Sequence, residues 1–339
     1  EYGWKMANIM ITERCNLQCE YCFANEFVNG IEKKDITIPQ LQRILKFIIG
    51  DGTEKRIGLI GGEPLCHPKF HDIINTICGN ENVEDVLIYT NGILLKEYIT
   101  ELENEKVNLL VNCNDLSYNY NLQKQWDDSL DVAFKKLGKK VGLGVNFYKP
   151  DFEYRYILDL VEKYNCDHLR VSISVPNNTK YSYRPLEYFK TVKPHIFCFF
   201  SELEKRNVVP YFDCNVFPAC LVSVDEMKMF SQWKIDNPFS IVKNHGTGCK
   251  PVIDIMPDLT AVRCFGLSEY TKTKITDFAS ISDLRNYYMK TIDAFAINCN
   301  HTAECDQCYK YKTVKCSGGC LIYKIDKILN LQKMVWNNE

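Results

Sequence analysis

Six short β-branched or apolar runs recur along the first 210 residues: "ANIMI" (Ala7–Ile11), "RIGLI" (Arg56–Ile60), "VLIYT" (Val86–Thr90), "VNLLVN" (Val107–Asn112), "VGLGVNFY" (Val141–Tyr148) and "LRVSISV" (Leu169–Val175). Helical periodicity separates them. Leu41, Ile44, Leu45 and Ile48 share one helical face after Pro39, and Tyr154, Ile157, Leu158 and Val161 share another after the expected cap Asp151. Strands joined through helices run parallel, because the crossover returns the chain to the same end of the sheet. The chain is therefore expected to be α/β, its six units forming either a partial (β/α)6 TIM-like barrel or a doubly wound sheet.

Past Val208 the rhythm stops. "VVPYFDCNVFPAC" reads as a short strand and a loop, and from Cys249 onward the chain is loop-rich, with one helical pattern over Ile281–Phe295. This places a boundary near residue 215, with an α/β domain over 1–215 and a loop-rich domain over 216–339. Net charge is −2 and the charges are interspersed, which favours neither a nucleic-acid partner nor an acidic membrane surface. No run reaches the roughly 18 apolar residues of a membrane span.

Cysteine usage is the anomaly. There are 17 in 339 residues, an odd number in a chain too large to need disulfide staples. Three fall within "CNLQCEYC" and seven between Cys249 and Cys320. Clustered thiols of this kind bind metal or do redox chemistry in a reducing compartment, so the expected location is the cytoplasm.

In parallel α/β folds the active site forms at the carboxyl ends of the strands. After the first strand comes C-x3-C-x2-C (Cys15, Cys19, Cys22), after the second "GGEP" (Gly61–Pro64), and after the third Asn91–Gly92. A closed [4Fe–4S] cluster takes four thiolates. Three from one loop leave one iron open to chelate a substrate or cofactor.

These motifs resemble the radical S-adenosylmethionine (SAM) superfamily over roughly residues 6–176. The resemblance implies a partial barrel and an open [4Fe–4S] cluster on Cys15, Cys19 and Cys22, with SAM on the fourth iron. It also implies reductive cleavage of SAM to a 5′-deoxyadenosyl radical that takes a hydrogen atom from substrate. Gly61, Gly62 and Glu63 would meet the SAM amine. Phe23 would border adenine, and Arg170, Ser172 and Asn91 would face SAM. Electrons would come from a flavodoxin or ferredoxin.

The second cysteine region, "ECDQCYKYKTVKCSGGC", gives C-x2-C-x7-C-x3-C (Cys305, Cys308, Cys316, Cys320), with Cys249 and Cys264 upstream. Taken alone, such knuckles suit tetrahedral zinc. Beside a radical SAM core they resemble a SPASM or twitch extension with one or two auxiliary [4Fe–4S] clusters. Cys249, Cys264 and Cys320 would then serve the nearer cluster and Cys305, Cys308 and Cys316 the farther. The middle gap is seven rather than the usual five, and no cysteine follows Cys320. Cys299 is a candidate seventh ligand, and Cys214 or Cys220 another.

"CHPKFH" (Cys66, His67, His71) reads as a helix start rather than a metal site, and "HIFCFF" (His195–Phe200) as a buried helix face. Cys78, Cys113, Cys166 and Cys198 read as buried small hydrophobes. The resemblance points to a peptide substrate that is crosslinked, epimerised or oxidised. With the first strand so near residue 1, peptide recognition is expected from a separate protein or the barrel mouth. A small-molecule dehydrogenase or mutase is the alternative, and a non-catalytic iron–sulfur electron carrier the reading from another class.

Overall fold

The computed structural model describes residues 6–22, 24–28, 30–174, 185–212, 219–226, 228, 251–296, 299, 303–313 and 320–336. The chain condenses into two compact units. One comprises Glu1–Gly144 with Pro251–Asn286, the other Val145–Lys250 with Tyr287–Glu339.

In the first unit, β1 (Ala7–Met10), β2 (Arg56–Ile60), β3 (Asp85–Thr90), β4 (Val107–Asn112) and the first half of β5 (Val141–Phe147) lie side by side in chain order. Every neighbouring pair is parallel, with registers such as Met10↔Ile60, Leu59↔Ile88, Tyr89↔Leu110 and Leu110↔Gly142. A doubly wound sheet would reverse its strand order part way. Sequential order without reversal is the winding of a TIM-like barrel, so the fold is α/β with a partial barrel sheet.

Helix formation follows local chemistry. α2 (Ile38–Ile49, after the short α1, Asn25–Val28) starts at a capping box, in which Thr37 and Gln40 satisfy each other's main-chain N–H. It buries Leu41, Ile44, Leu45 and Ile48, as the periodicity requires, and gives way to Gly50. α3 (Phe70–Cys78) buries Phe70, Ile73, Ile74 and Ile77. After the single turn α4 (Ile99–Leu102), α5 (Tyr120–Leu137) is capped by the Asn119 side chain and ends at Gly138, whose φ of 55° suits a residue without Cβ.

The first unit holds one arrangement with no local sequence signature. β8 (Asp254–Ile255) pairs parallel to the free edge of β1, through Asn8↔Asp254 and Ile9↔Ile255. β9 (Thr260–Val262) and β10 (Thr273–Lys274) follow antiparallel. Buried polar groups fix this addition: Asn8 Nδ2 donates to Asp254 Oδ1 at 2.7 Å, and the Phe265 N–H to Asp254 Oδ2 at 2.8 Å.

In the second unit, β6 (His168–Ile173) pairs parallel to β7 (Val209–Phe212). α6 (Arg155–Lys163) buries Ile157, Leu158 and Val161 but is preceded by Tyr154 rather than capped at Asp151. The Glu153 carboxylate accepts the Arg155 N–H instead, at 2.8 Å. In α7 (Pro185–Lys205) the "HIFCFF" stretch buries Ile196, Phe197, Phe199 and Phe200, while Cys198 is exposed, contrary to expectation. Cys113 is buried, and Cys78 and Cys166 are half-buried. The helical pattern near Ile281 is present as Ile281–Tyr288, most of which belongs to the first unit, and is continued by a wider turn over Met289–Asp293 and by Ala294–Ala296. No helix among the described residues is long and apolar enough to cross a membrane.

Candidate functional site

The loop leaving β1 is held from two sides. The Thr12 hydroxyl and the Arg14 guanidinium both bond Asp35, at 2.6 and 2.9 Å, and the Glu13 carboxylate accepts the Lys34 N–H. From the other side the loop leaving β2 zips onto it. The Gly62 N–H donates to the Thr12 carbonyl at 2.9 Å and the Glu63 N–H to the Arg14 carbonyl at 2.7 Å. Gly62 is required by this approach, because a Cβ there would lie 2.3 Å from the Arg14 carbonyl oxygen and 2.9 Å from Cys15 Cβ. A Cβ at Gly61 would likewise lie 2.7 Å from the Thr12 carbonyl oxygen.

Glu63 is buried, and its carboxylate accepts from Leu65 N (3.1 Å), Thr90 Oγ1 (2.7 Å) and Asn91 N (2.7 Å). Burial pushes its pKa up to about 7 even so. Asn91 in turn donates from Nδ2 to Asn16 Oδ1 at 2.7 Å, and its carbonyl accepts the Trp126 indole N–H at 2.7 Å. The three loops after β1, β2 and β3 thus form one hydrogen-bonded rim.

Cys15, Cys19 and Cys22 are half-buried on this rim. Burial raises all three thiols, Cys15 to about 11 and Cys19 to about 12, and repulsion among the thiolates adds to the shift at Cys15 and Cys19. Main-chain N–H groups oppose it: Leu17 N lies 3.5 Å from Cys15 Sγ, and Ala24 donates to Cys22. Three crowded sulfurs with N–H donors ionise when a cationic metal centre supplies the missing charge. Among the described residues no three His, Cys, Asp or Glu side chains converge on a single metal position. Tetrahedral zinc needs its thiolates about 2.3 Å from one centre. In a [4Fe–4S] cluster each thiolate takes a different iron.

Tyr21, Asn114 and Asn16 carry no sequence signal of their own. The Tyr21 hydroxyl bonds Asn114 Oδ1 at 2.5 Å, Cys19 Sγ lies 3.7 Å from the same oxygen, and Cys66 receives the Asn16 N–H. His67 is structural: one ring nitrogen lies 3.0 Å from the Ile36 carbonyl and the other accepts the Lys69 N–H.

Arg170 and Ser172 lie on β6 in the second unit, where Arg170 Nη1 donates to Asn146 Oδ1 at 2.6 Å and Ser172 is buried. Phe23, Cys214, Cys249 and Cys316 lie outside the described residues. Cys264 is half-buried in the first unit, between β9 and the turn Phe265–Leu267. The second unit carries Cys299, buried, and Cys305, Cys308 and Cys320, half-buried. Cys305 and Cys308 share a turn closed by a 3.0 Å main-chain bond, and buried Lys324 donates to the Cys299 carbonyl at 3.1 Å. Cys220 is exposed.

Residues 9–124 match the family model of the radical SAM superfamily. A curated relative, GTP 3′,8-cyclase of Alkaliphilus oremlandii, is 38% identical over 99 residues, which is 28% of this chain and 30% of the relative. The chain therefore spans less than a third of that protein's length. Among solved structures, anSMEcpe with bound AdoMet and Kp18Cys peptide superposes with a TM-score of 0.64 over 97% of this chain and 99% of that one, at 14% identity. Streptococcus suis SuiB bound to precursor peptide SuiA gives 0.58 over 94% and 72%, at 16% identity. At these identities the likeness is one of fold. Residues 9–124, which hold the three-cysteine loop, thus carry a radical SAM domain.

Proposed function

We propose that the chain is a radical SAM enzyme acting on a peptide, with Cys15, Cys19 and Cys22 holding a [4Fe–4S] cluster. The observation that carries this is the Gly62–Cys15 approach, which fastens the "GGEP" loop over the three-cysteine loop. When bound, the cluster and SAM supply the electron and the 5′-deoxyadenosyl radical that removes a hydrogen atom from substrate. The chain's own residues orient and shield. Gly61 and Gly62 present bare backbone to the SAM amine, Glu63 braces that loop against β3, and Asn91 braces the cysteine loop. Arg170, Ser172 and Phe23 are the further SAM contacts. Met10, Ile60, Met256, Val262 and Phe265, with Phe27 and Tyr89 packed on them, form an apolar cluster in the same unit.

Beyond residue 215, Cys249, Cys264, Cys299, Cys305, Cys308, Cys316 and Cys320 are the ligands of one or two auxiliary clusters. A flavodoxin or ferredoxin supplies electrons. The peptide reading is supported by near full-length likeness of fold to two proteins whose structures hold peptides. The cyclase names favour a small-molecule substrate, but those alignments cover only 28% to 41% of this chain. Anaerobic reconstitution followed by dithionite and SAM should yield 5′-deoxyadenosine and methionine. Cys15→Ala and Cys22→Ala should each abolish the reaction, and cleavage undiminished in either variant rejects the assignment. Faster SAM turnover with GTP than with any cysteine- or serine-bearing peptide would replace the peptide reading by the nucleotide one.

A further inference from the structure

Asn114 stands two residues beyond β4, beside the cysteine loop. Its Nδ2 donates to the Asn112 carbonyl at 3.1 Å, which fixes the way the amide faces. Its Oδ1 is therefore the atom turned to the loop, where it accepts the Tyr21 hydroxyl at 2.5 Å and lies 3.7 Å from Cys19 Sγ. The Tyr21 hydroxyl is also within hydrogen-bonding reach of Cys19. One hydroxyl thus has two acceptors, an amide oxygen and a sulfur, and all three side chains are partly buried.

The balance between them depends on what Cys19 carries. As a thiol, Cys19 donates its proton to Oδ1. As a metal-bound thiolate it has none to donate and is an acceptor only. Asn114 cannot turn its Nδ2 to the sulfur without abandoning the Asn112 carbonyl. The free rotor is the Tyr21 hydroxyl, which swings about its C–O bond from Oδ1 to Sγ.

We propose that Tyr21 is a positioning residue that acts on the cluster through Cys19: its hydroxyl, aimed by Asn114, donates to the Cys19 thiolate once a cluster is held there. This rests on the cluster reading above. A donor to a ligand sulfur stabilises the reduced cluster more than the oxidised one, because the reduced state carries the extra negative charge, and such outer contacts tune potential and metal retention. The hydroxyl thus makes the cluster easier to reduce.

The test uses the reconstituted full chain in an EPR-monitored redox titration, with and without SAM. The wild-type protein must first show a reducible cluster whose signal changes on adding SAM. If none does, the cluster reading fails, whatever Tyr21 does. Given that signal, Tyr21→Phe keeps the ring and removes only the hydroxyl. Iron content should be unchanged, and the ratio of reduced to oxidised cluster at a fixed potential should fall about tenfold, a shift of ~59 mV for one electron. An unmoved midpoint overturns the proposal. Loss of the SAM-responsive signal also overturns it, because the hydroxyl would then anchor the loop rather than tune the cluster. Asn114→Ala should shift the midpoint in the same direction by less, and should add nothing in the Tyr21→Phe background. An additional shift in the double variant would mean that Asn114 acts independently, which overturns its aiming role.

Discussion

The Glu63 carboxylate accepts the main-chain N–H of Asn91 at 2.7 Å, joining the loop after β2 to the loop after β3. The same carboxylate holds Thr90 and Leu65, and its main-chain N–H holds the Arg14 carbonyl in the cysteine loop. One residue therefore ties together the ends of three consecutive strands, before any cofactor is considered.

That position gives Glu63 a pH signature. Burial raises its folded-state pKa from 4.5 to about 7. Below about pH 4 both folded and unfolded chains are protonated, and the contribution is fully present. As pH rises, the unfolded chain ionises first, so stability falls until about pH 7, where the folded state has ionised too. A shift of about 2.5 units corresponds to about 3 kcal/mol. Urea unfolding of metal-free wild type and Glu63→Gln, compared at pH 4.5 and 7.5, should show wild type losing about that much relative to the variant. A difference that stays flat across this window would contradict the raised pKa.

Gly62→Ala should part the two loops. The new Cβ meets a backbone carbonyl at 2.3 Å, and backbone cannot move aside as the end of a flexible side chain can. Overpacking of this kind costs about 1–3 kcal/mol. Iron and sulfide analysis after reconstitution should find that the variant retains less iron than wild type, with a lowered thermal midpoint. Wild-type values for both would mean that the loops need not touch.

Much of the barrel was legible because its signals are local. Ile57, Leu59, Val107 and Leu109 announce strands by composition, and Leu41, Ile44, Leu45 and Ile48 announce a helix by period. Cys15, Cys19, Cys22 and Gly61–Glu63 were legible as motifs, and the structure brings these loops together. The pairing of β8 with β1 was not legible. Two residues, Asp254 and Ile255, have no period, and what holds them is a contact with Asn8 across 246 positions. Tyr21 and Asn114 were missed for the same reason: each is one polar residue whose role depends on a partner 93 positions away. Asp151 failed as a cap because Glu153, nearer the helix start, took the N–H.

The ion pair between Arg285 and Glu54, 2.9 Å long, is buried on both sides, with side-chain exposures of 0% and 6%. It fastens the helix Ile281–Tyr288 to the segment before β2, beside the Asp51–Ser282 and Thr53–Ser282 bonds. Glu54→Ala would leave the guanidinium charge buried without this carboxylate and should cost about 3–5 kcal/mol. Adding Arg285→Met should restore part of the loss, because no charge is then left to desolvate. Chemical denaturation of the two variants decides it. A double variant less stable than Glu54→Ala would show that Arg285 stabilises through other contacts.

The cysteines beyond residue 248 make the last prediction. Cys264 is fixed in the first unit by the Asp254 bond to the Phe265 N–H. Cys299, Cys305, Cys308 and Cys320 lie in the second unit, with Cys305 and Cys308 on one turn. If these thiols hold the proposed auxiliary clusters, they do so whether or not the loop after β1 is loaded. A variant with Cys15, Cys19 and Cys22 all changed to Ala should therefore lose SAM cleavage and any SAM-responsive EPR signal, yet still bind iron and sulfide on reconstitution. Iron should then fall further on changing Cys305 and Cys308 to Ala. If the triple variant takes up zinc and no iron, the knuckles are a zinc ribbon and the auxiliary-cluster proposal fails.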